Sequence, residues 1–354
     1  MSQINNVFQI AFLGDTVLNG DYQQCYKEGE KPFARVKEVL ASDKIVGNLE
    51  CFVKGDNGEN ERKKPRLETD LDTINYLKDI GLNVACLANN HVFDHLDDGF
   101  LKTITWLKNN GIASMGASLD HQRAFQPLIL SKGGIQVGLL NYVTRDTNPC
   151  QPEQTKIQLN YFEEEDVVQA IKELKQQVDH VVLSLHWGGR LEGGLYPDWH
   201  QPTQARRLID AGADVIVGHH SHTVQPYEVY KGKYIFYSIG NFCFSNFWSD
   251  GKPYFINERG RVSLVPVISF RKRDYLVETR SFYNKNGTLN PYKIKNKRVV
   301  FTLIKRYKFV WGFYYWWYRR VRPIVRVMLN SEIPMKQKIN AISFKKLVKH
   351  FRKK

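Results

Sequence analysis

The sequence predicts an α/β domain, with helices packed on a β-sheet, followed by a basic, aromatic C-terminal extension. Three observations carry this. Apolar runs of strand length alternate with segments whose apolar residues recur at helical spacing. Strand after strand ends on a polar cluster, and in open α/β sheets ligands sit outside the carboxyl ends of strands. Charge is also segregated. Residues 293–354 hold nineteen Lys/Arg and one acid, Glu332, whereas residues 1–292 hold thirty-two Lys/Arg and thirty-five Asp/Glu. The expected division is a catalytic or binding body over residues 1–290 and a separate basic module over residues 291–354.

The elements follow in order. Residues 7–13 form an apolar strand that stops at Gly14-Asp15. Residues 32–40 read as a short amphipathic helix with a proline near its start. A strand over 44–46 leads into Gly47-Asn48-Leu49-Glu50, and residues 54–64, charged and glycine-bearing, read as a surface loop. Residues 71–80 repeat apolar side chains at helical spacing up to Gly81. A strand over 83–87 ends in Ala88-Asn89-Asn90-His91, and a helix over 98–110 closes on Gly111. Residues 127–143 are broken by Ser131-Lys132-Gly133-Gly134, the signature of a hairpin. A helix over 166–178 precedes a strand over 180–185 that ends in His186-Trp187-Gly188. A helix over 202–209 precedes the strand 214–217 and the turn Gly218-His219-His220-Ser221-His222. A strand over 234–239 ends in Gly240-Asn241, and strands over 262–271 and 275–283 complete the body.

Composition narrows the class. Hydrophobic residues at 42% and charged residues at 25% are ordinary for a globular protein. Five widely spread cysteines, in no Cys-x-x-Cys spacing, read as reduced thiols and exclude a disulfide framework. The N-terminal residues carry no basic region before a short apolar run, and no stretch has the length of a transmembrane helix. The expected address is therefore cytoplasmic, with neither signal peptide nor membrane span.

Three of the ten histidines fall within four positions, 219 to 222, directly after a strand. Neutral imidazole is the commonest metal ligand. Asp15, Glu50, Asn90, His186, His220 and His222 together supply carboxylate, amide and imidazole, a mixture suited to Mn, Fe or Zn, as one ion or as two sharing a carboxylate. Such a centre lowers the pKa of a bound water and polarises a phosphoryl or acyl oxygen. His91 has Asp94 three residues on, which on a helical turn lets the carboxylate orient the imidazole as a general acid. Asn48, His219 and Asn241 are expected to bind or to hold the surrounding turns. His95, His121, His180, His200 and His350 read as surface or packing residues. The run Arg62, Lys63, Lys64 and Arg66 reads first as a solvated face and second as a contact for an acidic substrate.

The ordered motifs Gly14-Asp15, Asn48-Leu49-Glu50, Ala88-Asn89-Asn90-His91 with Asp94 and Gly99, His186-Trp187-Gly188 and Gly218-His219-His220-Ser221-His222-Thr223-Val224-Gln225-Pro226 resemble the CapA family of capsule and poly-γ-glutamate synthesis proteins. The stretch 228–242 resembles the same family's end motif. The resemblance spans about residues 7–246. It implies a metallophosphoesterase-like (calcineurin-like) layered β-sheet core flanked by helices. It also implies Asp15 and Glu50 as the acids, Asn90-His91 as the Asn-His motif, His186 as the isolated histidine, and His220 with His222 as the final His-x-His. His219 is then a supporting residue. Two departures stand out. Asp15-Thr16-Val17 lacks the histidine of the superfamily's Asp-x-His, and Glu50 stands where an Asp is usual. Losing one His ligand weakens one metal position.

The tail differs in kind. Residues 309–318 are ten aromatic or apolar side chains flanked by Lys305, Arg306, Lys308, Arg319, Arg320 and Arg322, and residues 339–351 mix apolar and basic side chains. Trp and Tyr with basic flanks fit an anionic membrane surface, which makes the expected location peripheral at the inner membrane face. Nucleic acid, through stacking and cations, is the weaker reading, and docking on another capsule-synthesis protein is a third. The expected function is a metal-dependent hydrolase of a phosphoester or amide-type linkage in an anionic polymer or its precursor. The alternative is a non-catalytic polymer-binding or assembly protein of a capsule synthesis complex. A nucleic-acid phosphoesterase rests on superfamily analogy alone.

Overall fold

The strand Phe8–Thr16 sits at the centre of the architecture because both of its faces are apolar. Phe8, Ile10 and Phe12 enter one core layer, and Ala11 and Leu13 the other, the period-2 alternation of a strand buried on both sides. The computed structural model describes residues 7–285, 288–294, 301–303, 306, 308–322 and 324–325. The chain divides into two compact units, Met1–Lys297 and Arg298–Lys354.

Two large sheets build the first unit. One runs in the order Thr288–Pro291, Tyr275–Lys285, Val262–Phe270, Phe8–Thr16, Lys44–Leu49, Val84–Cys86 and Ala113–Met115. The other runs Tyr227–Tyr230, Lys233–Phe236, Val215–His219, His180–His186, Ile135–Val143 and Leu128–Lys132. Val46, Val84 and Met115 from the first sheet share a buried layer with Val137, Val182, Val215 and Val217 from the second, so the sheets pack face to face. Helices close the outer faces. Val36–Leu40, Tyr76–Ile80 and Leu96–Asn109 cover the first sheet through Val36, Leu40, Leu77, Ile80, Phe100 and Leu107. Glu164–Lys175 buries Val167, Ile171 and Leu174, at helical spacing, and carries three acids in its first turn and two lysines near its end. A Cβ at Gly138 would lie 2.7 Å from Leu174 Cδ2, so the glycine lets Leu174 settle against the second sheet without shifting. The layered α/β core expected from the sequence is present.

Three differences from the sequence expectation matter. The strands ending in polar clusters do not share one sheet. Phe8–Thr16, Lys44–Leu49 and Val84–Cys86 lie parallel in the first, and His180–His186 and Val215–His219 lie parallel in the second. The expected strand over 234–239 stops at Phe236, and the chain then crosses between sheets. Ile239 bridges Val224, Gly240 bridges Ser263, and Asn241 pairs with Asp15 beside the end of Phe8–Thr16. Finally, the charged loop over 54–64 is not simply solvated, because Asn60 and Lys63 are buried. Helix bounds differ less. The helix over 32–40 is reduced to Val36–Leu40, and that over 71–80 begins as the 3-10 turn Thr73–Asn75.

In the second unit, Lys308–Trp316 is helical and continues as a π-helical turn over Trp317–Val321. Among the described residues no helix is long and apolar enough to cross a membrane. Residues 339–351 lie outside the described residues.

Candidate metal centre

Each strand end delivers one or two polar side chains to a common pocket. Asp15 comes from the end of Phe8–Thr16, Asn48 and Glu50 from the end of Lys44–Leu49, and Asn90 and His91 from the turn after Val84–Cys86. His186 ends His180–His186, and His219 ends Val215–His219, with His220 and His222 in the turn beyond. Asp15, Asn48, Glu50 and His186 are all 0% exposed. The turn is held in an unusual shape: His220 and His222 have positive φ, 90° and 54°, a costly conformation for a side chain with a Cβ. Ser221 Oγ donates to Thr223 O (3.0 Å), Thr223 Oγ1 donates to Gly194 O (2.6 Å), and Gly193 N donates to Ser221 O (2.8 Å). These bonds brace the strain, and the result aims both imidazoles into the pocket.

Two groups of ligating atoms form and share Glu50. Glu50, His186 and His220 make one, and Asp15, Glu50 and His222 the other, each with its atoms within 4.8 Å of one another. Glu50 Oε1 lies 3.5 Å from His186 Nε2 and 3.9 Å from His222 Nε2. His186 Nε2 is 3.1 Å from His220 Nδ1 and 3.0 Å from Asn90 Oδ1. Asp15 accepts from Asn48 Nδ2 (2.8 Å) and from the His220 amide (3.3 Å), and its Oδ2 lies 3.1 Å from His222 Nδ1. Further polar side chains stand against the candidate ligands, in the way outer groups orient ligands around most metal sites. Asn48 Nδ2 is 3.3 Å from His186 Nδ1, Asn241 Oδ1 is 2.8 Å from His222 Nδ1, and His219 Nδ1 is 3.3 Å from Asp15 Oδ1. His91 keeps Nδ1 2.6 Å from Asp94 Oδ2 and turns Nε2 toward Glu50 Oε1 at 3.9 Å.

The fit to a divalent cation rests on Glu50. Both of its carboxylate oxygens are buried and accept no hydrogen bond, a costly state for a carboxylate with no cation beside it. Electrostatics point the same way. Burial pushes the Asp15 carboxyl up, but hydrogen bonds and charge from His219 and His222 outweigh it and hold it well below its usual range. Burial, then the Asp15 charge, drives Glu50 well above its usual range. Burial, then His220, pushes His186 well down. Burial takes His220 to about 4. At His222 burial opposes protonation, yet Glu50 and Asp15 raise the imidazole to about 10. One buried space thus holds two carboxylates and three imidazoles whose charges cannot all be satisfied by one another. Divalent cations bound there would resolve that conflict by displacing the protons.

All eleven residues singled out from the sequence converge here, Asp94 included, although Asp94 stands on the turn before the helix Leu96–Asn109 rather than within a helix. Sequence reasoning missed Glu192. Its Oε1 lies 3.8 Å from His222 Nε2, on an exposed side chain, and the only signal was its place in the glycine-rich stretch after His186. His95 and His180, expected at the surface or in packing, are buried.

The model of the family described as "Bacterial capsule synthesis protein PGA_cap" matches residues 9–246. The PGA biosynthesis protein CapA of Bacillus subtilis (strain 168) is 28% identical over 320 residues, 87% of this chain and 80% of that protein. The capsule biosynthesis protein CapA of Bacillus anthracis is 30% identical over 219 residues, 60% of this chain and 53% of that one. Among solved structures, the 5'-nucleotidase precursor from Thermus thermophilus is 14% identical, covering 92% of this chain and 60% of that chain with a TM-score of 0.46. The family match runs through every residue of the pocket from Asp15 to Asn241, and the chain belongs to the bacterial capsule synthesis protein (PGA_cap) family.

Proposed function

We propose that this protein serves capsule, poly-γ-glutamate or exopolymer biosynthesis as a metal-dependent hydrolase. Its substrate is a phosphoester or amide-type linkage of an anionic polymer or its precursor. The observation that carries the reading is Glu50, buried between two donor groups with neither oxygen hydrogen-bonded. Asp15, Glu50 and His222 would hold one ion and Glu50, His186 and His220 a second, with the Asn90 carbonyl oxygen beside them. Bound Mn, Fe or Zn supplies an acidified water and a Lewis acid for the phosphoryl or acyl oxygen. The chain's own residues do the rest. Asn48, His219 and Asn241 fix the ligands. Asp94 holds His91 Nδ1, which leaves Nε2 facing the pocket to protonate a leaving group. Burial keeps the His91 pKa low, and an anionic substrate group arriving beside it raises its proton affinity.

Elemental analysis of the purified protein beside a His220→Ala/His222→Ala double variant tests this. The expected result is about one or two Mn, Fe or Zn per chain, lost in the variant. A chain that holds no metal, and gains no thermal stability from added metal, overturns the hydrolase reading. That outcome favours the second reading, a non-catalytic polymer-binding or assembly protein. One observation supports it: the position two after Asp15 is Val17, a buried apolar residue that offers no ligand.

The second unit is read as a membrane-surface anchor. Phe309, Phe313 and Trp316 are 75%, 66% and 48% exposed, and their i, i+4, i+7 spacing puts them on one helix face. Arg319, Arg320 and Arg322 follow directly. The full chain should co-sediment with vesicles containing anionic lipid, lose most of that binding at high salt, and lose it in a Phe309→Ser/Phe313→Ser variant. Equal binding to neutral vesicles, or preferential binding to nucleic acid, refutes the anchor.

A further inference from the structure

We propose that Lys63 binds an oxyanion of the substrate, a phosphoryl or carboxylate group, at the edge of the metal centre. The inference rests on the reading of that centre as metal-dependent, and it assigns the substrate's charge. Lys63 is 7% exposed. Its ammonium carries three donors, and one of them meets the Asn148 carbonyl at 3.2 Å. Among the described residues no carboxylate forms an ion pair with it, whereas Lys64 and Arg66 of the same run, and Lys54 at the start of the loop, are paired. Lys54 meets Glu59 and Glu68, Lys64 meets Asp250, and Arg66 meets Glu59 and Asp250. Beyond that neutral partner the Lys63 charge acts on the Glu50 and Glu192 carboxylates, but neither forms an ion pair with it, and a buried ammonium without an ion pair favours an anion.

Its position says which anion. The loop that carries Lys63 is fastened at both ends to Asp94, the residue that orients His91. Asn60 N donates to Asp94 O (2.9 Å), and Leu67 N donates to Asp94 Oδ2 (2.7 Å). Asn60 Nδ2 donates to Cys150 O (2.6 Å), so the segment around Asn148 and Cys150 closes over the other side. The loop that carries Lys63 is therefore tied, on both sides of it, to the residue that orients His91. After burial, the Lys63 charge is among those that keep the His91 and His220 imidazoles low. The charge balance points the same way. Two divalent ions held by Asp15, Glu50 and neutral imidazoles would leave a net positive centre, and Lys63 would add to it. An oxyanion reaching both the ions and the ammonium neutralises the excess, and charge-assisted hydrogen bonds of this kind are strong.

The test uses the full chain as wild type, Lys63→Met and Lys63→Arg, with Mn content measured alongside the binding of two probes, inorganic phosphate and glutarate. The expected result is unchanged Mn content and probe binding weakened roughly ten-fold or more in Lys63→Met, with most of it restored in Lys63→Arg. The probe that binds more tightly identifies the group as phosphoryl or carboxylate. Mn-loaded Lys63→Met that binds both probes as tightly as wild type overturns the inference and leaves the metal centre standing. If none of the three proteins holds Mn, Fe or Zn, the metal reading fails, and the same probes on the metal-free chain decide for Lys63. Weaker binding in Lys63→Met then supports the inference, and equal or absent binding overturns it. Should Lys63→Met fail to fold, wild type alone is decisive. Phosphate should protect Lys63 from amine acylation, read by peptide mass spectrometry, and equal acylation with and without phosphate overturns the proposal.

Discussion

Glu50→Gln should remove metal binding and activity together while leaving the metal-free protein at least as stable as wild type. The two effects have one cause. Glu50 is the acid common to both donor groups, so its loss weakens both positions at once. If the ions supply several kcal/mol of transition-state stabilisation, at about 1.4 kcal/mol per tenfold, activity falls by roughly 10³-fold. The stabilisation conferred by metal, about 2.7 kcal/mol when the ion is at 100 times its Kd, disappears as well. In the metal-free chain the sign reverses. Burial and the neighbouring Asp15 charge hold the Glu50 pKa above its usual value. The folded state then binds this proton more tightly than the unfolded state does. Above the unfolded pKa, about 4.3, that difference costs wild-type stability, and the cost grows with pH until the folded pKa is passed. Glu50→Gln lacks this term, so its advantage over metal-free wild type widens as pH rises. Thermal melts of both proteins across pH, with and without Mn, check each part. A variant that still takes up two ions, or whose metal-free melting temperature drops sharply at neutral pH, contradicts this account.

Gly14→Ala is expected to cost about 3 kcal/mol or more and to dismantle the centre from beneath. A Cβ at this position would lie 1.9 Å from Gly240 O and 3.2 Å from Phe242 N. Both are backbone atoms on the segment that crosses from one sheet to the other, so no side chain can swing aside. Asp15 N donates to Gly240 O at 3.0 Å, and Asp15 pairs with Asn241. Forcing the segments apart therefore moves Asp15 and Asn241 together, and with Asn241 the ring of His222. Chemical denaturation should show the loss, and any folded fraction should bind metal poorly. Gly312→Ala, where nothing lies within 4 Å of the added carbon, is the control and should leave stability unchanged or slightly raised. Similar stability for Gly14→Ala and wild type would mean that the crossing is loosely held.

Most of the site was legible because its residues are local punctuation. A strand that ends on Gly14-Asp15, or on Gly218-His219-His220-Ser221-His222, declares a polar cluster at a known end of a known element. Three-residue spacing suggests the His91–Asp94 pair, and His91 Nδ1 lies 2.6 Å from Asp94 Oδ2 on a turn rather than a helix. Lys63 was different. In the run Arg62, Lys63, Lys64 and Arg66 every side chain has the same chemistry, and nothing in the chain says which one is enclosed. Enclosure comes from Asp94 and from the segment around Asn148 and Cys150, eighty-five residues away at Asn148. Glu192 was hidden for a related reason. Its approach to His222 depends on the bonds that tie Gly193 and Gly194 to the histidine turn.

By itself the sequence determined the α/β alternation, the polar residues at the strand ends and the family motifs that join them. These depend on spacing within a few residues, where side-chain period and turn chemistry rule. Only the tertiary structure decided that the clusters come from two sheets rather than one, and that the chain crosses between them at Ile239 to Asn241. Only it divided the candidate ligands into two groups around Glu50. Parallel pairing joins segments that are far apart in the chain, and the sheets meet through a core whose apolar residues suit either partner. Which carboxylate loses its hydrogen bonds, and which lysine loses its water, is settled by burial, and burial belongs to the folded molecule.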